Sequence, residues 1–223
     1  MKRQPRKDGG LVRYFDKDAQ AYDEWYDAHP ALYATELAAV HMAVPGGTGL
    51  EIGVGTGRFA APLGVEFGLD LSRNSLELAR RRGVKVVQGD AYDLPIRERS
   101  LDFVLIVFVL ELVEDVRGIL TEAGAVLKEN GALVLGFIDR DRPWGRHFLE
   151  TSDLRSYVNP PSPREIAAIL GAIGFAVESS FQTLFGPPPD LEQAEEPRPG
   201  FGEGGFVVFR AVRRDSRPQG GIP

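Results

Sequence analysis

The segment Gly49 to Phe59, GLEIGVGTGRF, runs an apolar strand pattern into three alternate glycines and then into a helical pattern. In an open α/β sheet such a turn lies at the carboxyl end of the first strand, where ligands bind. Gly53, Gly55 and Gly57 let a ligand approach the backbone closely, because a Cβ would take up its space. A dinucleotide fingerprint of the form G-x-G-x-x-G needs a glycine three positions after Gly55, but that position is Arg58.

From Thr48 onward, short apolar runs alternate with helical patterns, which predicts βαβ units and a parallel sheet. Strands are expected at Leu50–Val54, Val65–Leu69, Lys85–Gln88, Leu101–Val109, Ala132–Ile138, Ala176–Thr183 and Phe206–Arg213. Helices are expected at Arg58–Leu63, Arg73–Arg82, Val116–Lys128 and Pro163–Ile173, the last with a Ser162-Pro163 start and a Gly174 stop. The last two strands are joined by a loop, Gly186 to Gly205, and so should pair antiparallel. Tyr14 to Ala43 reads as helical, interrupted at His29-Pro30. The expected organisation is an N-terminal helical extension over 1–45, one α/β domain over 46–214 with a lid-like insertion at 139–161, and a disordered tail at 215–223.

Composition narrows the chemistry. The chain has 223 residues, 26 basic and 32 acidic side chains and a net charge of −6, so it lacks the positive field that nonspecific nucleic-acid binding uses. The longest apolar run, Phe103 to Leu110, falls well short of the roughly 18 residues that cross a bilayer. The basic start MKRQPRK leads into Asp8-Gly9-Gly10, where a secretory signal would be apolar, and a cytoplasmic protein is expected. Without cysteine there is no thiolate chemistry. His29, His41 and His147 show no metal-ligand spacing, and no metal is expected.

Two acids share the edge of the sheet with the glycine turn. Asp70 ends the second strand, where a carboxylate can accept from both hydroxyls of a ribose. Asp90 follows the third, where it can accept from an adenine amine. Either could instead cap a turn.

With these residues the sequence resembles the class I S-adenosylmethionine-dependent methyltransferases, in particular the type 11 or UbiE-like group. The matching segments are Glu51–Gly57 (EIGVGTG), Asp70 in GLDLS, Gly89–Pro95 (GDAYDLP), Ser100–Asp115 and Leu127–Arg140. The resemblance implies a Rossmann-like α/β fold, with seven mostly parallel strands, the last antiparallel, and helices on both faces. It further implies that Gly53, Gly55 and Gly57 wrap the methionine part of S-adenosylmethionine, with Glu51 near its ammonium group. Asp70 would lie at the ribose, Asp90 and Ala91 at the adenine, and Val107 and Phe108 beside adenine and sulfonium, with Leu71 a further cofactor contact. Many relatives carry a histidine in the segment after the fourth strand, whereas this chain reads Val109-Leu110-Glu111-Leu112, so Glu111 becomes the substitute candidate for a base.

Tyr22, Trp25, Tyr26 and His29 follow helical spacing and would share a face. They read either as packing on the domain or as an aromatic lid, and the resemblance places an N-terminal tyrosine, here Tyr22, over the cofactor site. Tyr22 is also a candidate catalytic residue and Tyr26 a candidate substrate contact. The excursion Asp139 to Pro161 leaves the fifth strand at the ligand edge. Its Asp139, Arg140, Trp144, His147 and Tyr157 are further substrate candidates.

Methyl transfer from a sulfonium needs alignment and desolvation more than acid–base groups. With no obvious base, a small acceptor with a nitrogen, sulfur or other soft nucleophile is favoured. A non-catalytic S-adenosylmethionine sensor or partner subunit, and an NAD-dependent oxidoreductase, remain as alternatives.

Overall fold

A computed structural model describes residues 9–151, 157–188 and 191–214. Strand β4 (Leu101–Val107) is buried at all but one position, as suits a strand covered on both faces. It pairs in parallel with β1 (Gly49–Ile52) on one side and β5 (Leu127–Ile138) on the other. Outward from β1 lie β2 (Phe67–Asp70) and β3 (Lys85–Gln88), both parallel. On the other flank β8 (Phe206–Arg213) runs antiparallel between β5 and β6 (Phe175–Thr183). A two-residue β7 (Arg198–Pro199) finishes that edge. The order β3-β2-β1-β4-β5-β8-β6-β7 reverses direction between β1 and β4, and a crevice forms at the carboxyl ends of strands where the order reverses.

Alternate residues of the central strands feed two cores. Phe103, Leu105 and Val107, with Val134, Phe206 and Val208, lie under Leu32, Ala39, Val40 and Ala43 of helix α2 (Pro30–Ala43) and Leu76 and Ala79 of α3 (Arg73–Arg81). Val104 and Ile106, with Leu133, Leu135, Phe137 and Phe209, lie under Ile119, Leu120 and Ala123 of α4 (Val116–Val126) and Ile166 and Leu170 of α6 (Pro163–Ala172). Helix α1 (Gly9–Ala28), kinked at Asp18, precedes α2, and α5 (Pro143–Thr151) lies between β5 and α6.

The α/β class, the seven expected strands, the reversed last strand and the helices on both faces are all present. The break at His29-Pro30 falls between α1 and α2, where Pro30 takes the first helical turn and needs no N–H partner. The start of α6 is a reciprocal cap: Ser162 Oγ accepts from the Glu165 N–H while Glu165 accepts from the Ser162 N–H.

One expected helix is absent. Arg58–Leu63 forms successive turns rather than regular helix. Pro62 has no N–H to give to the Arg58 carbonyl, and that oxygen is bonded instead by the Tyr33 hydroxyl at 2.5 Å. Strand ends also shift. β1 stops at Ile52, because the N–H groups of Gly53 and Val54 both turn to the Leu69 carbonyl. β4 stops at Val107, because Phe108 takes a positive φ of 56°. Helix α5 and strand β7 lie in segments expected to be loops. The expected tail, 215–223, lies outside the described residues.

Candidate functional site

The crevice at the β1–β4 reversal is a cleft, and its floor is the glycine turn. Gly53 lies at φ 71° and Gly55 at φ 51°, a region that glycine reaches without steric cost. A Cβ on Gly55 would stand in open space, whereas one on Gly53 would strike Val109 at 2.2 Å. The turn is tied to the end of β2: Gly55 N–H donates to Asp70 Oδ2 (2.9 Å), and Ser72 N–H donates to Asp70 Oδ1 (2.8 Å). Each carboxylate oxygen has a second lone pair, so Asp70 can still take two hydroxyl donors. Burial pushes the Asp70 carboxyl above its ordinary range, against the pull of the Ser72 and Gly55 N–H donors. At the end of β3, Asp90 Oδ1 accepts the Tyr92 N–H at 2.9 Å. Asp90 therefore shapes its own turn while also lining the cleft.

The wall opposite is apolar. Val107, Phe108 and Val109, with Leu112 and Val113, line it. The positive φ of Phe108 is uncommon outside glycine, and such strain gathers at functional sites. The Phe108 ring is held between Phe59 and Phe206, with centroids at 5.9 and 5.1 Å.

Helix α1 closes the third side with Val12, Phe15 and Tyr22. Polar side chains fasten it. Asp16 accepts from Ser72 Oγ (2.7 Å) and its carbonyl from Asn74 Nδ2 (2.7 Å). Asp23 accepts from Thr56 Oγ1 (2.6 Å), Arg58 Nε (2.8 Å) and an Arg82 terminal nitrogen (2.7 Å). Burial would raise the Asp23 carboxyl, but the Arg58, Arg82 and Thr56 donors outweigh it and hold the pKa down at about 2. Thr56 and Arg58 belong to the glycine turn, so one carboxylate joins α1 to the floor of the cleft.

The cleft brings together Tyr22, Gly53, Gly55, Asp70, Leu71, Asp90, Ala91, Val107 and Phe108 from among the expected cofactor residues. Glu51 and Gly57 do not line it. Glu51 is buried on the α2 side of β1 and takes the Ala60 N–H. Gly57 permits packing against α3, since a Cβ there would meet Ala79 Cα at 3.1 Å. The aromatic stripe divides: Tyr22 reaches the cleft, Tyr26 is in the core with its hydroxyl 3.1 Å from that of Tyr22, and Trp25 is exposed, stacked on His29.

None of the other substrate candidates lines the cleft. Asp139 is buried and accepts from the Asp141 N–H, and Arg140 pairs with Glu165. Trp144 is buried, with its indole N–H on the Gly186 carbonyl at 2.7 Å. His147 is half-buried on α5, and Tyr157 is exposed beside Gly10 of α1. Glu111 is buried and accepts the Ile138 N–H at 2.8 Å.

Phe15, Ser72, Ser75 and Tyr92 line the cleft but were not among the expected residues. Phe15 stands two helical turns before Tyr22, a spacing readable in the sequence. The Asp23 hub had no such signal, because its donors come from positions that only the fold brings near.

Comparison with known proteins agrees with this geometry. The family model for a methyltransferase domain matches residues 50–135. A protein of Methanocaldococcus jannaschii is 38% identical over 205 residues, 91% of this chain and 100% of that protein. The demethylmenaquinone methyltransferase of Tropheryma whipplei is 32% identical, over 76% of this chain and 75% of that enzyme. The crystal structure of an S-adenosylmethionine-dependent methyltransferase of Thermotoga maritima, described as a possible histamine N-methyltransferase, superposes with a TM-score of 0.87 at 36% identity, covering 92% of this chain and 100% of that one. A glycine turn tied to a strand-end carboxylate fits a ribose-bearing methyl donor. The chain belongs to the type 11 group of class I S-adenosylmethionine-dependent methyltransferases, and S-adenosylmethionine is its cofactor.

Proposed function

We propose that the chain methylates a small-molecule acceptor at a nitrogen, sulfur or other soft atom. The observation that carries this reading is the apolar wall Val107-Phe108-Val109 with Leu112 and Val113. An oxygen acceptor generally wants a base at the reacting atom, and this wall offers none. The description of the Thermotoga relative points toward nitrogen.

S-adenosylmethionine supplies an activated methyl group on a sulfonium. Asp70 would hold its ribose hydroxyls, and Asp90 with the Ala91 backbone its adenine. Gly53 and Gly55 would give its methionine part close approach. Val107 and Phe108 would exclude water at the sulfonium, since displacement gains from desolvation. Tyr22 would cover the site from α1. Glu51 and Gly57 would act from behind the turn. The test is transfer of labelled methyl to panels of small amines, thiols and alcohols. Label in amines or thiols is expected; label in alcohols alone, or only in protein or RNA, overturns the reading.

Helix α1 is the cover in this arrangement, because it lends three side chains to the cleft and is fastened by polar contacts that can open. Hydrogen exchange over 12–22 should slow when S-adenosylhomocysteine binds, while β4 barely changes. Tyr22→Ala should weaken that binding about tenfold, the equivalent of roughly 1.4 kcal/mol, with no matching loss of melting temperature. Lost stability with retained affinity would assign Tyr22 to packing alone.

A further inference from the structure

Helix α1 is two rods joined at a kink. Asp18, at φ −114° and ψ 20°, lies outside the helical region, and a residue that already departs from helix absorbs a change of backbone angle most readily. The two halves are held very differently. Past the kink, Ala19 and Tyr26 belong to the core, and the buried Asp23 carboxylate grips Thr56, Arg58 and Arg82. Lifting that half would break buried ion pairs, which is strongly destabilising. Before the kink, Val12 and Phe15 line the cleft and are only half-buried. Asp16 ties this half to the start of α3: its Oδ1 accepts from Ser72 Oγ at 2.7 Å and from the Asn74 N–H at 3.3 Å, and its carbonyl accepts from Asn74 Nδ2 at 2.7 Å. The helix dipole of α3 favours a carboxylate there. Asp16 is itself half-buried, so water can replace these bonds and the tie can open.

Ser72 joins this tie to the cleft. It is 1% exposed and lines the cavity. Its hydroxyl has one proton, which goes to Asp16, and an oxygen lone pair takes the Ser75 N–H at 3.2 Å. Its own N–H goes to Asp70 Oδ1 at 2.8 Å. One buried residue therefore connects the front of α1, the start of α3 and the carboxylate at the end of β2.

We propose that Asp16 is a positioning residue: it latches residues 9–17 over the cleft as a gate hinged at Asp18, and through Ser72 it holds Asp70 in place for the ribose. This rests on the reading of Asp70 as the ribose acceptor, and it goes further by separating the half of α1 that moves from the half that stays. Each turnover leaves the demethylated donor in the cleft, and that product has to leave before fresh donor enters. Opening 9–17 uncovers the cleft at Val12 and Phe15, while Tyr22, the glycine turn and the Asp23 hub keep their places. The way out is opened and the binding surface is preserved. With the latch shut, Ser72 is held by α1 and α3 together, and the Asp70 oxygen that it touches is held with it.

The test is the dissociation rate of labelled S-adenosylhomocysteine chased with unlabelled ligand, measured on the full chain. The parent is compared with Asp16→Ala, Asp16→Asn, Ser72→Ala and the double alanine variant. Asp16→Ala should release the ligand about tenfold faster, as expected for the loss of one charge-assisted bond, and association should not slow. Asp16→Asn keeps a side-chain oxygen for Ser72 and should stay within about threefold of the parent. The double variant should release no faster than the faster single variant, because both substitutions break one connection. Hydrogen exchange gives a second readout. Without ligand, amides of 13–17 should exchange at least about tenfold faster than those of 20–27; Asp16→Ala should speed the first set alone, and S-adenosylhomocysteine should slow the first set most. A rate in Asp16→Ala equal to the parent's overturns the latch, and multiplied effects in the double variant overturn the route through Ser72. Equal exchange on both sides of Asp18 overturns the hinge. A parent that binds no S-adenosylhomocysteine overturns the cofactor reading itself, which separates that failure from failure of the latch.

Discussion

Asp70→Ala is expected to weaken S-adenosylhomocysteine binding by about a hundredfold. Two hydrogen bonds from ribose hydroxyls to a charged acceptor, each worth at least about 1.5 kcal/mol, together give roughly 3 kcal/mol, or about two decades in affinity. The same substitution frees the Gly55 and Ser72 N–H groups that the carboxylate now accepts. The turn that cradles the ligand is thereby loosened, so the loss should not fall below that figure. Asp70→Asn keeps one acceptor oxygen and the shape of the end of β2, and an intermediate loss of about tenfold is expected. Calorimetry on the three proteins decides the matter. Equal affinity in Asp70→Ala and parent would show that the carboxylate only fixes the turn, and the ribose assignment would fail.

That Asp70 was legible at all follows from where charge can sit in an α/β sheet. A strand that is apolar through Phe67, Gly68 and Leu69 can end in a carboxylate only at its mouth, so Asp70 and Asp90 announce the ligand edge without any knowledge of tertiary contacts. Val107 and Phe108 lie inside the longest apolar run, Phe103 to Leu110, and their place at the cofactor came from the family resemblance, not from the run. Glu36 is different. It shares a buried stripe, Leu32 to Ala43, with Thr35 and apolar residues, and by default a glutamate in a helix is assigned to water. Its burial depends on α2 lying flat on the sheet beside β6 and β8. The 139–161 excursion differs again. Its mixture of arginine, acid and aromatic residues has the composition of a binding loop, yet Trp144 packs against Gly205 and Arg140 pairs with Glu165. Those partners lie far along the chain, and no local pattern signals them. The turns at Arg58–Leu63 follow from Pro62, which has no N–H for the Arg58 carbonyl, and the distant Tyr33 hydroxyl takes that carbonyl instead.

Asp23→Ala should cost about 3 kcal/mol of stability, and it should reduce cofactor affinity although Asp23 does not line the cleft. The substitution strands two guanidinium groups at once. Arg58 keeps Asp27 Oδ1 at 2.8 Å, and Arg82 keeps the Thr56 carbonyl at 2.9 Å. Removing one partner of a buried pair typically costs about 3 to 5 kcal/mol. Arg82 is 29% exposed, so water relieves part of the loss and the lower end applies. For a chain of this length the melting temperature should fall by about 6 to 12 °C. Affinity should fall because Thr56 and Arg58 position the glycine turn, and α1 with Tyr22 is joined to that turn through Asp23. The pH dependence has a definite sign. The folded carboxyl, at about 2 against 3.8 for the free group, binds fewer protons than the unfolded one between those values. Its contribution is therefore complete above pH 4 and disappears as pH falls toward 2. Water around the ion pairs screens that contribution to about 1 to 2 kcal/mol. Urea unfolding of the parent and Asp23→Asn at pH 5, 4, 3 and 2 should show a stability gap that narrows through this window. A variant as stable as the parent at pH 5, with unchanged affinity for S-adenosylhomocysteine, would mean that aromatic packing alone seats α1, and that the charge hub couples nothing to the cleft.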